Sequence, residues 1–188
     1  MEPSIRGDPS LRGNQAGAPT DPDGGEGRLR EGERRTVTVL FADMQGFTAL
    51  SERLDPEEMD ALMNRVFSRF ESIVKSRGGS VEKYIGDALV AVFGYPALHE
   101  DDPVRAVECA LEFGEALTAK AEDREAGKDV PVAPMPSFRT GIHTGIVATG
   151  RRGGQEVVTG HAMAIAARLE SAADDGGILV SDPVREHC

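Results

Sequence analysis

The chain has 188 residues, a formal net charge of −11 and two cysteines. That charge argues against a general affinity for nucleic acid or an anionic membrane, both of which need a basic face. No apolar run approaches a membrane span, no signal-peptide core is visible, and Cys109 and Cys188 make no disulfide framework. A reduced, cytoplasmic protein is expected.

Residues 1–35 are Gly, Pro, Asp, Glu and Arg with scattered apolar residues. They cannot bury enough surface to offset ordering entropy and read as a disordered tail. Residues 36–188 then form one domain of ordinary size. Thr36–Phe41 is β-branched and apolar and predicts a buried strand. Asp55-Pro56 is a cap-then-first-turn pair. It opens a helix whose apolar positions Met59, Leu62, Met63, Val66, Phe67, Phe70, Ile73 and Val74 keep helical spacing. Gly78-Gly79 ends it. Ser80–Ile85 and Ala88–Phe93 predict a hairpin turning at Gly86-Asp87.

A second helix starts at His99–Pro103 and runs to about Ala121. The acidic residues at its start complement a helix N-terminus and read as capping. Glu122–Pro136 reads as a loop. Phe138–Ile142 and Ile146–Thr149 are expected as two strands joined around Thr144-Gly145. Arg151–Gly154 reads as a turn and Gln155–Thr159 as a return strand. A short helix over Ala162–Ala172, a strand over Ile178–Ser181 and a helical tail from Asp182-Pro183 complete the chain. Strands mixed with helices give an α/β or α+β sandwich.

Two aspartates stand out. Asp43 closes an apolar run in Phe41-Ala42-Asp43-Met44-Gln45-Gly46-Phe47-Thr48, and Asp87 sits at the hairpin tip in Lys83-Tyr84-Ile85-Gly86-Asp87-Ala88. A lone Asp in such a place is usually a cap or turn residue. Two brought together would suit a hard divalent cation, because Mg²⁺ is held by one or two carboxylates plus substrate phosphates. Backbone N–H groups after Gly46 would suit phosphate.

Four segments, in order, resemble the class III adenylate/guanylate cyclase catalytic domain. They are Phe41–Asp43 with Gly46–Thr48, Gly86–Ala88 with Val92–Gly94, Gly141–Gly145, and Ala166–Glu170. The resemblance covers about Arg35 to His187. It implies an α+β, ferredoxin-like βαββαβ sandwich with an antiparallel-dominated sheet and a dimerisation hairpin. It also implies a head-to-tail homodimer, or a heterodimer with another cyclase domain, whose active sites are shared between chains. Asp43 and Asp87 would hold two Mg²⁺ or Mn²⁺ ions, with the main-chain carbonyl of Met44 as a further ligand. Gly46 and the N–H groups of Phe47 and Thr48 would meet the phosphates, and Arg139 the triphosphate. From the partner chain, Lys83 and Val157 would occupy the purine-reading positions, and Arg168 would stabilise charge on the α-phosphate. On their own, Arg139 and Lys83 read as outward residues of half-buried strands, and Arg168 as a solvated charge. His143 sits in a strand motif of the family and reads as structural.

The sequence departs from the family at three residues and in two segments. Ala164 replaces an asparagine that orients the ribose, and loss of one such donor costs on the order of 10²–10³ in rate. His161 replaces an acidic or amide residue. Val157 stands where Asp or Thr usually accepts from the adenine amino group. Guanylate cyclases usually carry an acidic residue at the Lys83 position, so ATP is favoured over GTP. The hairpin arm is short, and the C-terminal edge reads as trimmed. The expected function is an adenylate cyclase making cyclic AMP and pyrophosphate in intracellular signalling. The alternative is a catalytically weak or inactive cyclase-like domain that binds nucleotide or regulates a partner. A ferredoxin-like interaction module without nucleotide would leave the two aspartates unexplained.

Overall fold

The computed structural model describes residues 33–125, 136–152 and 155–188. Residues 1–32 of the expected tail lie outside the described residues, as does most of the loop expected before Pro136, while Arg34 and Arg35, read as the end of that tail, are already paired in the first strand with Ala148 and Val147. The order is β1 (Arg34–Met44), α1 (Phe47–Ser51), α2 (Pro56–Ser76), β2 (Ser80–Ile85), β3 (Ala88–Phe93), α3 (Asp102–Glu125), β4 (Phe138–Arg152), β5 (Gln155–Thr159), α4 (His161–Ala172), β6 (Ile178–Val180) and α5 (Asp182–Arg185).

β1 is apolar because it is interior. It pairs antiparallel with β3 over Thr38–Asp43 and with β4 over Arg34–Met44. Its even residues Leu40, Ala42 and Met44 join the core under α2 and α3, while Val37 and Val39 join a second cluster under α4. The sheet follows the path β2-β3-β1-β4-β5, with β6 parallel to β4. The first four strands of that path, with α2 and α3 as crossovers, are the βαββαβ core. The expected α+β fold with a mostly antiparallel sheet is therefore present.

The helices stand where their periodicity put them. Asp55 and Glu58 form a reciprocal capping box ahead of α2, which satisfies two otherwise orphaned donors. Phe70, Phe113 and Phe138 meet edge to face across α2, α3 and β4, with centroids 5.0 and 4.9 Å apart. Arg77, just past α2, pairs with Glu108 and Glu112 of α3. The buried Asp102 at the start of α3 accepts the His99 N–H at 2.8 Å and so ties the segment entering the helix to its first turn. Burial holds the Cys109 thiol up at about 12, so this cysteine is a packing residue. Among the described residues no helix is long and apolar enough to cross a membrane.

Three expectations need correction. Phe138–Thr149 is one continuous strand rather than two, because its ladder to β1 runs unbroken from Phe138 to Ala148. The glycine read as a turn, Gly145, lies mid-strand opposite Val37. It is needed for room: a Cβ there would stand 2.9 Å from His143 Nε2 and 3.1 Å from the Ala162 Cβ. Arg151 and Arg152 belong to β4, opposite Glu156 and Gln155 of β5, rather than to a turn. α3 continues to Glu125, past the expected end near Ala121.

Candidate active site

The register of the sheet builds the first part of the site. Asp43 is the penultimate residue of β1, and its neighbours across the sheet are Arg139 on β4 and Ala88 on β3. Asp87 immediately precedes Ala88, in the β2–β3 turn. Both aspartates thus reach the same end of the sheet from adjacent strands. Asp43 and Arg139 are opposite charges at directly facing antiparallel positions, an arrangement that stabilises a strand pair. The Arg139 Nη2 donates to Asp43 Oδ2 at 3.0 Å, and Gln45 Nε2 donates to the same oxygen at 3.2 Å. The Asp43 hydrogen bond holds the Arg139 guanidinium above its usual pKa.

Met44 ends β1 with its side chain buried in the core, which leaves its main chain at the same sheet end. Gly46 follows with φ +77°, a conformation that strongly favours glycine. It turns the chain into the one-turn helix α1. Phe47 packs against the core while Thr48 is exposed. The first N–H groups of a helix have no partner within it.

A second carboxylate faces Arg139. Glu170 Oε1 of α4 lies 3.3 Å from Arg139 Nη2, in an ion pair without hydrogen-bond alignment. Neither Arg139 Nε nor Glu170 Oε1 has a hydrogen-bond partner among the described residues. Burial, then the like charge of Asp43, pushes the Glu170 carboxyl up, with Arg139 opposing. Gly141 makes this contact possible. A Cβ there would come within 2.2 Å of the Ala166 carbonyl oxygen and the Glu170 N, so α4 rests directly on the β4 backbone.

The second group of expected site residues lies elsewhere on the chain. On α4, Ala162, Ala166 and Glu170 form the buried stripe, and Ala164 and Arg168 fall on the outer face one turn apart. Lys83 is exposed on the outer strand β2, where a bulge between Val81 and Lys83 breaks the alternation. Val157 is half-buried on β5. Among the described residues neither the Lys83 nor the Arg168 side chain makes a hydrogen bond or ion pair, and none joins this group to Asp43 or Asp87.

His143 Nδ1 and Ser181 Oγ are 2.8 Å apart, and burial, aided by His161, pulls its pKa down. This agrees with a structural histidine. Among the described residues no three His, Cys, Asp or Glu side chains are placed to hold a metal ion. Two carboxylates with main-chain carbonyls form a sparse, all-oxygen donor set. That set fits Mg²⁺ or Mn²⁺ completed by water and phosphate, and not a closed protein cage. Sequence reasoning gave Glu170 and Gln45 no role. Glu170 ends the family-like segment Ala166–Glu170, but its partner Arg139 is 31 positions away across α4 and β4.

Residues 29–187 match the family model described as the adenylate and guanylate cyclase catalytic domain. The chain belongs to this family. Adenylate cyclase 1 of Rhizobium meliloti (strain 1021) is 32% identical over 164 residues, 82% of this chain and 24% of the relative. The receptor-type guanylate cyclase gcy-23 of Caenorhabditis elegans is 30% identical over 156 residues, 81% of this chain and 14% of the relative. The chain thus spans about a quarter or less of these two relatives. Among solved structures, the adenylyl cyclase CyaB from P. aeruginosa superposes with a TM-score of 0.76 at 30% identity, covering 84% of this chain and 82% of that one. The guanylyl cyclase Cya2 gives 0.74 at 30%, covering 84% and 80%. The domain is a class III nucleotidyl cyclase domain, and its relatives include both adenylate and guanylate cyclases.

Proposed function

We propose that the domain is an adenylate cyclase that converts ATP to 3′,5′-cyclic AMP and pyrophosphate at sites shared between two chains. The observation that carries this reading is the convergence of Asp43, Asp87 and Arg139 on one end of the sheet. A half-buried structural ion pair needs no second aspartate at the adjacent turn. In this reading Asp43, Asp87 and the Met44 carbonyl hold two Mg²⁺ or Mn²⁺ ions. When bound, such a pair activates the ribose 3′-oxygen and braces the triphosphate.

The chain's own residues do the rest. Arg139, held between Asp43 and Glu170, would offer its guanidinium to the triphosphate, and Glu170 would keep it oriented. The main chain at Gly46, Phe47 and Thr48 receives phosphate oxygens. Arg168 of a second chain meets the charge that develops at the α-phosphate, and Lys83 and Val157 of that chain flank the purine. The exposure of Lys83 and Arg168 supports this division, because a second chain can reach them. Lys83 favours adenine over guanine. The substrate places the reaction on the cytoplasmic side, with the product acting as an intracellular signal.

A second reading is supported by Ala164. It stands one turn from Arg168 on the outer face and cannot donate a hydrogen bond. A domain that binds ATP and turns it over slowly, or that regulates an active partner, keeps every other feature of the site.

The test is an assay of purified protein with ATP or GTP and Mn²⁺, beside Asp43→Ala. Cyclic AMP from ATP that vanishes in the variant supports the enzyme. Manganese-dependent ATP binding without product supports the second reading and rejects the first.

A further inference from the structure

β2 and β5 are the two ends of the path β2-β3-β1-β4-β5. In a flat sheet they would lie about four strand spacings, roughly 19 Å, apart. Yet Glu82 Oε1 on β2 accepts the Val158 N–H of β5 at 2.9 Å. The β4–β5 hairpin returns over the α4 side of the sheet. Val158 is buried there in one cluster with Val90 and Val92 of β3, the neighbour of β2.

An outer strand leaves N–H groups unpaired on its free side. Here a carboxylate takes one of them, in a charge-assisted bond stronger than a neutral one. Glu82 sits at the β2 bulge, where an extra residue re-aims the side chains that follow. The two bonded residues adjoin Lys83 and Val157. Among the described residues no other hydrogen bond or ion pair links β2 to β5. One carboxylate is therefore the polar tie between two strands whose Lys83 and Val157 make no polar side-chain contact of their own.

We propose that Glu82 is a positioning residue for purine recognition: it clamps β5 to β2 and so fixes Lys83 relative to Val157. This rests on the purine-facing roles given to those two residues above. The clamp matters because displacements of about 1 Å in a binding constellation can cost as much as two orders of magnitude in rate.

The test compares wild type, Glu82→Ala and Glu82→Gln, the last keeping an oxygen acceptor. Three quantities are measured: the exchange rate of the Val158 amide, the dissociation constant of ATP with Mn²⁺, and that of inorganic tripolyphosphate with Mn²⁺. Glu82→Ala is expected to speed Val158 exchange about tenfold and to weaken ATP about tenfold. Tripolyphosphate, which has no purine, should bind all three proteins equally, and Glu82→Gln should restore most of both losses. Unchanged Val158 exchange in Glu82→Ala overturns the clamp whatever the nucleotide does. Faster exchange with unchanged ATP affinity, or an equal loss for tripolyphosphate, overturns its purine role. Failure of the wild type to bind ATP rejects the reading above, and the exchange rates still judge the clamp.

Discussion

The two groups of site residues differ in who holds them. Asp43 and Arg139 face each other across the β1–β4 ladder and are braced by Gln45 and Glu170 from the same chain. Lys83, Arg168 and Ala164 are exposed, and among the described residues the two cations have no partner. The first group is organised within a single chain, because its own ion pairs fix its side chains before substrate arrives. The second is a set of exposed positions on helix α4 and strand β2, which the proposed function assigns to the substrate held by another chain. That contrast is what the proposed site, shared across a two-fold interface, requires.

The largest effect that could break this contrast is in the first group. Asp43→Ala should lower cyclic nucleotide formation roughly a thousandfold, the worth of several kcal/mol of charge stabilisation, as read by product chromatography. Next comes a repair in the second group. Ala164→Asn should raise activity by about 10²-fold, the worth of one preorganised donor. Unchanged activity would mean that the outer face of α4 does not meet substrate.

Gly141→Ala tests the support beneath both groups. Its Cβ would meet backbone at 2.2 Å, and overpacking of this kind costs about 1–3 kcal/mol or more. Thermal unfolding should show a lower midpoint. Val157→Asp should shift preference toward ATP over GTP by about tenfold, the value of one added hydrogen bond to the adenine amino group.

The smallest effect is one of pH. The folded-state pKa of His143 lies below its ordinary 6.5 because it is buried beside His161. The unfolded chain therefore binds the proton more readily, and stability falls as pH drops below about 6.5 toward the folded value. A denaturant series should show this slope flattened in His143→Asn.

The sequence made the fold legible where one element settles its own fate. The spacing of Met59 through Val74 and the Asp55-Pro56 start needed no tertiary information, and the Gly86-Asp87 hairpin announced itself. It misled where a glycine served space rather than a turn. Gly145 reads as a break until α4 is known to press on it. The aspartates were legible because a carboxylate ending an apolar run is locally out of place. Glu170 and Glu82 were not, because each looks ordinary on its own element and acquires a role only through a partner brought close by packing, at Arg139 and at Val158.

The shared site is tested most directly by mixing. Asp43→Ala and Arg168→Ala should each be inactive alone, since each spoils both sites of its own homodimer. Mixed in equal amounts and allowed to exchange chains, they should regain about a quarter of wild-type cyclase activity. Half of the dimers are then mixed, and each mixed dimer carries one intact site. No recovery, with exchange of chains verified, would contradict a site divided between two chains.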